Sequence, residues 1–406
     1  MLLIPKTMRA VVYRGPNDLR LETVPVPRIG LDDLLVQVAV CGVCPTDIKK
    51  IQYGTVPPPR IFGHETAGTI VRAGSRVRQF KVGERVALHH HVPCLECYAC
   101  RHHAFAQCAQ NKRTGITAGF EPAGGGYAEY VRVMPFVLPG VVRIPARNSF
   151  LEGAMLEPVN TVLKAVKRLA LLRGDTVLVA GQGPIGLMFT RLLALQGMRV
   201  VATDLLPKRL ELAREFGATV VHCPKSEVRS PKSEGRPKSE IRRPESIVHS
   251  PQSRVRARTA SFEEGAPRRR LDQSLSALVH RFTQGRGLDA AVIAVPSDSV
   301  VREAQAMVRG AGQVLLFSHT RRGDQMSLDL ATVCVDEKDL IGSYSADFRL
   351  QAEVARLVFT RKLDASRLIT HQFPLDQTAA AVALAAHPTA ESLKVVVAHR
   401  LVETSG

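Results

Sequence analysis

Two kinds of hydrophobic pattern divide the chain. Residues 8–13 and 34–40 are short runs with alternating apolar positions, and Pro and Gly lie in the turns around them, which predicts β-strands. From about residue 160, apolar strand-like runs alternate with helical stretches. That alternation is typical of a parallel sheet with crossover helices. The sequence therefore predicts a β-rich first part followed by an α/β part.

The α/β part opens with the clearest local pattern of the chain. Residues 176–180 form an apolar strand, residues 184–195 form an apolar helix, and G-x-G-x-x-G lies between them. Residues 289–295, 313–318 and 340–345 are expected to be later strands of the same sheet. A helix from about residue 349 to 359 then leads away from it.

A segment without either periodicity interrupts the second half. Residues 224–270 repeat a Pro-led unit, and the prolines remove backbone donors while few apolar side chains offset the entropy of ordering. We expect a disordered insertion that leaves an edge of the sheet, between a strand ending near Cys223 and a helix beginning near Leu271. Its deletion should spare folding and turnover, because long loops cost little entropy. A polyanion-binding arm or a regulated Ser-rich segment is the functional alternative.

Length and composition are those of a globular protein of two domains. The chain has 406 residues, of which 45% are hydrophobic and 23% are charged, enough for a sizeable core. No run approaches the roughly 18 apolar residues of a membrane span, and residues 1–4 are too short for a signal-peptide core. We therefore expect a cytoplasmic protein without membrane association. Residues 1–7 add no pattern, so Met1 and Met8 are both candidate starts.

The net charge of +18 raises nucleic acid as a partner. Residues 224–270 contribute +7, and the other 359 residues carry +11. A nucleic-acid site concentrates charge on one face and often interleaves stacking aromatics, whereas this chain has no Trp and 5% aromatic residues. The composition disfavours a nucleic-acid function.

Half of the eight cysteines lie in one short segment. Cys94, Cys97, Cys100 and Cys108 are spaced Cys-x2-Cys-x2-Cys-x7-Cys. Four thiolates can complete a tetrahedral zinc shell that leaves no position for substrate. We predict a structural zinc site in residues 89–113, the four-cysteine lobe. A small nucleic-acid-binding zinc module is the alternative, but no recognition helix with base-reading side chains accompanies it.

A second set of metal donors precedes the lobe. Cys44 lies in CGVCPTD (41–47), and His64 and Glu65 lie in GHETAG (63–68). Thiolate, imidazole and carboxylate are usual zinc donors. Each fragment alone is a weak indication, but their order upstream of four clustered cysteines predicts a second metal site.

The glycine-rich turn predicts a dinucleotide site. Gly181 permits the tight turn, Gly183 lets the backbone approach a pyrophosphate, and Gly186 allows close packing of helix on strand. Pro184 and Ile185 open the helix, whose amino terminus meets phosphate.

An acidic residue 18 positions after Gly186 indicates which dinucleotide binds. Asp204 ends the next strand, where a carboxylate can hydrogen-bond both ribose hydroxyls and repel a 2′-phosphate. NAD is therefore favoured over NADP. Lys208 and Arg209 soften that preference if they face the ribose; otherwise they are solvated positions of the next helix.

Together, CGVCPTD, GHETAG, the four-cysteine lobe, EPVNT (157–161) and GQGPIG (181–186) resemble the zinc-containing medium-chain alcohol dehydrogenase family. The resemblance runs from residue 8 to about 397, apart from the insertion. Glu157 stands where the vertebrate-type alcohol enzymes place a second zinc-binding Cys, so the chain is most similar to the polyol and threonine dehydrogenases. The implied fold class is α/β. A GroES-like β-rich catalytic domain comprises residues 1–159 and 346–406, and a Rossmann domain with a doubly wound parallel sheet comprises residues 160–345.

The resemblance assigns roles around the catalytic zinc. It implies that Cys44 and His64 bind this zinc, that Glu65 is a ligand or an exchanging neighbour, and that Glu157 reaches the metal directly or through water. In many relatives a His follows the zinc-binding Cys by five residues and continues the proton path, whereas here that position is Lys49.

Further roles follow from the same family positions. Thr46 passes the substrate proton outward, Asp47 orients the ligands, and His91 lies near the substrate cleft. Thr161 is a candidate contact to the nicotinamide ring. Arg209 joins the glycines and Asp204 as a candidate cofactor contact.

The implied reaction is the reversible oxidation of a primary or secondary alcohol by hydride transfer to NAD, with zinc as Lewis acid. Polyols, threonine-like amino alcohols and simple alcohols all remain candidate substrates. The family also implies a homotetramer or a homodimer. Two rivals stay open: a zinc-free quinone reductase of the same superfamily, which would lack Cys44, His64 and the lobe, and a basic zinc-module nucleic-acid-binding protein.

Overall fold

The computed structural model describes residues 3–89, 92–113, 123–224, 274–318 and 323–399. The insertion predicted at residues 224–270 lies outside the described residues from position 225 onward, and so does His91.

Two sheets contain the strands of the amino-terminal part. The smaller sheet has the strand order β2-β1-β4, and the larger has the order β15-β16-β3-β5-β6-β8, with β7 paired to β3. Numbered in chain order, their strands are β1 (Thr7–Gly15), β2 (Asp18–Pro25), β3 (Leu34–Gly42), β4 (Arg60–Ile61), β5 (Glu65–Ala73), β6 (Arg85–Leu88), β7 (Tyr130–Val133), β8 (Val142–Arg143), β15 (Ile369–Phe373) and β16 (Lys394–Ala398). Strand β16, near the carboxyl end of the described residues, thus lies beside β3. The predicted metal donor Cys44 follows β3 in the chain.

The third sheet is parallel throughout, as the crossover pattern predicted. Its strands are β9 (Thr176–Ala180), β10 (Arg199–Thr203), β11 (Val220–His222), β12 (Leu288–Ile293), β13 (Val308–Leu316) and β14 (Asp339–Gly342), in the order β11-β10-β9-β12-β13-β14. The order reverses between β9 and β12, and in such sheets ligands bind at the carboxyl ends of the strands beside that point. The α/β fold class with a Rossmann-type sheet is confirmed.

The helices connect and cover these sheets. They are α1 (Pro45–Tyr53), α2 (Tyr98–Arg101), α3 (Ala109–Arg113), α4 (Phe150–Ala154), α5 (Leu156–Val166), α6 (Pro184–Leu195), α7 (Pro207–Glu215), α8 (Leu275–Phe282), α9 (Asp298–Met307), α10 (Leu330–Val335), α11 (Gln351–Phe359) and α12 (Thr378–Ala386), with 3-10 turns at Phe105–Gln107, Pro135–Gly140, Phe348–Leu350, Ala365–Leu368 and Leu375–Gln377. Among the described helices, none is long and apolar enough to cross a bilayer.

One hydrophobic core joins the larger sheet, which is mixed because β15 and β16 are parallel, to the fully parallel sheet through α5. Val40 of β3 and Ala67 of β5 share it with Val159 and Val162 of α5 and with Val177 of β9. Burying a side chain of this size contributes about 1.5–3 kcal/mol. The packing therefore fixes α5, which carries Glu157 and Thr161, between the two sheets.

Sequence periodicity located the elements for which it was used and was weaker at their ends. The strand predicted at 176–180 and the helix at 184–195 coincide with β9 and α6. The strand predicted at 340–345 ends earlier, at residue 342, and α8 begins at residue 275. The predicted insertion follows β11, which is an edge strand, as expected. The division into domains at residues 159 and 345 stays a prediction.

Candidate active site and metal centres

The structure brings the four cysteines of the lobe together. The Sγ atoms of Cys97 and Cys100 lie 3.5 Å apart, those of Cys94 and Cys108 lie 3.7 Å apart, and those of Cys94 and Cys100 lie 3.9 Å apart. A tetrahedron with Zn–S bonds of about 2.3 Å has S···S edges of about 3.8 Å. The thiols therefore fit a closed structural zinc shell.

The thiols of this shell differ in acidity. Burial raises the pKa of Cys100 to about 12. Burial also disfavours the Cys108 thiolate, but the backbone N–H groups of Cys94 and Asn111 outweigh it and lower the pKa of Cys108 to about 6. Because the metal binds thiolates, its entry into the lobe displaces protons, Cys100 being the thiol that burial holds protonated most strongly.

The lobe packs on the segment that precedes α11. The ring of Phe105 lies edge-on to that of Phe348, with centroids 5.9 Å apart, and the guanidinium of Arg349 lies 4.5 Å from the Phe105 ring centroid. These contacts attach the lobe to the carboxyl-terminal part of the chain.

A second group of metal donors, the mixed-donor cluster, consists of Cys44, His64 and Glu65. Their ligand atoms all lie within 4.8 Å of one another. Cys44 caps α1, where its Sγ accepts a hydrogen bond from the Thr46 N–H at 3.5 Å and Pro45 starts the helix. His64 and Glu65 stand at the start of β5. The cluster therefore forms where the loop after β3 meets the beginning of β5.

Asp47 holds the imidazole of the cluster. Its carboxylate is completely buried and lies 3.0 Å from His64 Nδ1, and it also accepts a hydrogen bond from the Gly63 N–H at 3.3 Å. Burial would raise the pKa of Asp47, but His64, together with Lys50 and the Gly63 N–H, lowers it. Asp47 is thus a buried anion behind His64, and Nε2 is the ring nitrogen that can serve as a metal donor.

Lys394 is a member of this site that sequence reasoning missed. Its ammonium lies against Glu65 Oε2 and donates a hydrogen bond to the Val43 carbonyl at 3.0 Å. Burial lowers the pKa of Lys394, but Glu65 and Cys44 outweigh burial and raise it. The one available signal was a lysine opening an otherwise apolar strand, KVVVA.

Glu157 lies near the cluster but outside its group of ligand atoms. It is in the first turn of α5, and its carboxylate contributes to a raised pKa of Glu65, for which burial is the first cause. Thr161 lies one turn later and donates a hydrogen bond to the Glu157 carbonyl at 3.2 Å. Its hydroxyl also lies 3.4 Å from Glu157 Oε1, so Thr161 adjoins the carboxylate that interacts with Glu65.

The mixed-donor cluster fits a zinc ion that is open to substrate. Thiolate, imidazole and carboxylate are donors that zinc accepts, and three protein ligands are usual at catalytic sites, which keep a position for substrate. A buried carboxylate behind the histidine is the outer-shell partner that such sites use.

The glycine-rich turn has the shape that a dinucleotide requires. Gly181 adopts a left-handed φ of +91°, and a Cβ on Gly186 would overlap the Gly181 carbonyl oxygen. A Cβ on Gly183 would point into open space, which leaves room for a phosphate beside the start of α6. Pro184 and Ile185 form the first turn of that helix.

Asp204 follows β10 and binds the backbone of the glycine-rich turn. Its Oδ2 accepts a hydrogen bond from the Gln182 N–H at 2.7 Å, and its Oδ1 accepts one from the Leu206 N–H at 2.9 Å. Arg209 approaches Asp204 to 3.9 Å and donates to the Ser392 carbonyl at 3.2 Å. Arg209 thus faces the acid, whereas Lys208 pairs with Glu391 on the exposed surface.

A large cavity of about 1410 Å³ opens beside the carboxyl ends of β12, β13 and β14. Its lining includes Val295, Phe317 and Tyr344, together with Phe105 of the four-cysteine lobe and Lys164 of α5. Its place at the carboxyl edge of the parallel sheet is where this fold binds ligands.

Comparison with known proteins identifies the family. A family model for the alcohol dehydrogenase GroES-like domain matches residues 30–145. The chain is 28% identical to sorbitol dehydrogenase from Bacillus subtilis strain 168 over 400 residues, covering 97% of this chain and 98% of that protein. It is 26% identical to D-xylulose reductase A from Aspergillus oryzae, covering 90% of each.

A solved structure shares the fold. The crystal structure of 2R,3R-butanediol dehydrogenase from Bacillus subtilis superposes with a TM-score of 0.75 at 23% identity, covering 96% of this chain and 99% of that one. Two groups of zinc donors, a glycine-rich dinucleotide turn and full-length relatives therefore agree: the chain belongs to the zinc-containing medium-chain alcohol dehydrogenase family.

Proposed function

We propose that this protein catalyses the reversible oxidation of an alcohol to a carbonyl compound, with a nicotinamide dinucleotide as the hydride acceptor. The observation that carries the proposal is the mixed-donor cluster, in which three different zinc donors lie within 4.8 Å in a chain that also has a dinucleotide turn. When bound, zinc polarises the substrate hydroxyl and the nicotinamide accepts the hydride.

Different residues hold the catalytic zinc and the structural zinc. Cys44 and His64 hold the catalytic zinc, Glu65 is a third donor, and Glu157 approaches from α5 as a further carboxylate. Asp47 keeps the imidazole in one orientation through its 3.0 Å contact. The four cysteines of the lobe hold the structural zinc.

Proton removal falls to Thr46. Thr46 is half-buried, and its backbone N–H donates a hydrogen bond to Cys44 Sγ at 3.5 Å. We assign its hydroxyl to accept the proton of the substrate hydroxyl and pass it outward. Lys49 lies about one turn further along α1, and burial lowers its pKa. Lys49 stands at the sequence position that a histidine has in many relatives.

The cofactor is held along the glycine-rich turn and ends near α5. Gly181, Gly183 and Gly186 accommodate the pyrophosphate, and Thr161 contacts the nicotinamide. Asp204 binds the ribose hydroxyls, which favours NAD over NADP. The closeness of Arg209 to Asp204 leaves NADP as the weaker alternative.

A polyol is the proposed substrate class. The support is similarity to a sorbitol dehydrogenase and a D-xylulose reductase over nine-tenths or more of the chain. We further propose a cytoplasmic homodimer or homotetramer, which analytical ultracentrifugation would distinguish.

The test is a panel of polyols, threonine and simple alcohols with NAD and NADP, run before and after removal of metal by a chelator. We expect polyol-dependent reduction of NAD, loss of turnover on chelation, and two zinc ions per chain because there are two groups of donors. Undiminished turnover in metal-free protein would refute the proposal. A single zinc per chain would refute one of the two sites.

A further inference from the structure

Three adjacent strands meet beneath Glu65. Glu65 of β5 pairs with Gly42 of β3, and Gly42 pairs on its other side with Val396 of β16. Directly paired residues of antiparallel strands share a face, and side chains alternate along a strand. Lys394, two residues before Val396, therefore emerges on the same face as Glu65.

The glycine on the middle strand makes this meeting possible. A Cβ on Gly42 would overlap Oε2 of Glu65 and come within 3.0 Å of its Cβ. The carboxylate of Glu65 thus lies over the bare backbone of the central strand, and the lysine of the third strand reaches it there.

Lys394 is itself held in place. It is 5% exposed, and its ammonium is shared between Glu65 Oε2 and the Val43 carbonyl, one residue before Cys44. The backbone N–H of Val43 donates to the Val395 carbonyl at 2.9 Å, which ties the same two strands again. The cation is therefore fixed relative to both Cys44 and Glu65.

We propose that Lys394 is a positioning residue that keeps Glu65 a weakly held, replaceable donor to the catalytic metal. The ammonium competes with the metal for the carboxylate, so the position that Glu65 takes on the metal can be given up to substrate. This inference rests on the proposed function, since it concerns the metal of that same site.

The charges give the direction of the effect. Removing a buried ammonium beside a divalent cation removes a repulsion and frees the carboxylate to bind the metal. The metal should then be held more tightly while the substrate competes less well. A purely structural lysine would instead leave a damaged site that binds metal less tightly.

The central variant is Lys394→Met, prepared in the full chain, with Lys394→Arg retaining the charge as its control. Zinc affinity is measured by competition with a chromophoric chelator, and donor geometry is measured from the visible absorption of cobalt-substituted protein. Outer-shell partners commonly change metal affinity or activity by about 10–100-fold. We expect about tenfold tighter zinc in Lys394→Met, a changed cobalt spectrum, and a fall in kcat/KM of similar size.

A double variant tests whether the effect passes through the carboxylate. In Glu65→Gln/Lys394→Met there is no carboxylate for the loss of the lysine to release. The zinc affinity of this double variant should therefore be no higher than that of Glu65→Gln alone. If Lys394→Met does not fold, Gly42→Ala reaches the same pair from the middle strand. It should change the cobalt spectrum by displacing Glu65.

The outcomes separate this inference from the proposed function. Unchanged or weaker zinc binding with an unchanged cobalt spectrum, in a wild-type enzyme that does require zinc, would overturn the role of Lys394 alone. Wild-type protein that turns over alcohol without metal would overturn the proposed function instead.

Discussion

The four-cysteine lobe and the mixed-donor cluster solve the problem of holding a metal in opposite ways. The lobe takes four donors of one kind from residues 94–108. The mixed-donor cluster takes three donors of different kinds from separate elements, with Asp47 and Lys394 buried behind them. The difference shows that the donors of a closed shell can all come from one short segment of sequence, whereas the residues of an open site come together only when the chain folds.

This contrast also predicts different consequences of damage. A closed shell contributes folding energy, so loss of a ligand should reduce stability more than chemistry. An open site acts on the substrate, so loss of a ligand should reduce turnover more than stability.

The largest effect is expected for His64→Ala. Loss of Lewis-acid catalysis worth about 4 kcal/mol corresponds to roughly a thousandfold lower kcat/KM. Steady-state kinetics measure this, and a circular dichroism melt controls for folding. A variant that kept its activity would mean that the mixed-donor cluster is not catalytic.

Cys97→Ser should reduce stability more than turnover. Opening the lobe should cost about 3 kcal/mol, which for domains of this size lowers Tm by roughly 6–12 °C. Differential scanning calorimetry measures the shift, and turnover at 25 °C should change far less than in His64→Ala. Equal losses in both variants would remove the distinction between structural and catalytic sites.

Asp47→Asn sharpens the contrast within the mixed-donor cluster. Replacing the buried carboxylate behind His64 should weaken metal affinity by about 10–100-fold, as measured by chelator competition. Asp18→Asn, which alters an exposed carboxylate of β2 paired with Arg20, is the matched control and should leave affinity unchanged. An unaltered affinity in Asp47→Asn would show that the imidazole is held without it.

The smallest effect concerns how the lobe is attached. Arg349→Gln removes the cation above the Phe105 ring and its ion pair with the largely buried Asp347 carboxylate, and it should lower the free energy of unfolding by about 1–2 kcal/mol. Denaturant unfolding measures it. Zinc content should be unchanged, because Arg349 contacts the lobe at the Phe105 ring and not at a thiol.

Local patterns in the sequence predicted the parts of the site that neighbouring residues make. The spacing of the four cysteines and the strand, turn and helix around Gly181 could be read directly, because each depends on residues within about 30 positions of one another. Cys44, His64 and Glu65 could be grouped from their donor chemistry and their order upstream of the lobe, whereas their individual roles came from the family resemblance.

Lys394 escaped prediction because its partner Glu65 lies more than 300 positions earlier and meets it through the pairing of β16 with β3. Nothing in the residues around Lys394 specifies that register. The same limit applies to Arg209, whose hydrogen bond to the Ser392 carbonyl joins two distant parts of the chain.

The position of β16 in the sheet also determines at what stage of synthesis the surroundings of Glu65 can be completed. This strand fills the position between β15 and β3, and it is made after every metal ligand has left the ribosome. A growing chain could therefore hold all of its zinc donors while the strand that carries Lys394 was still missing from the sheet beside Glu65.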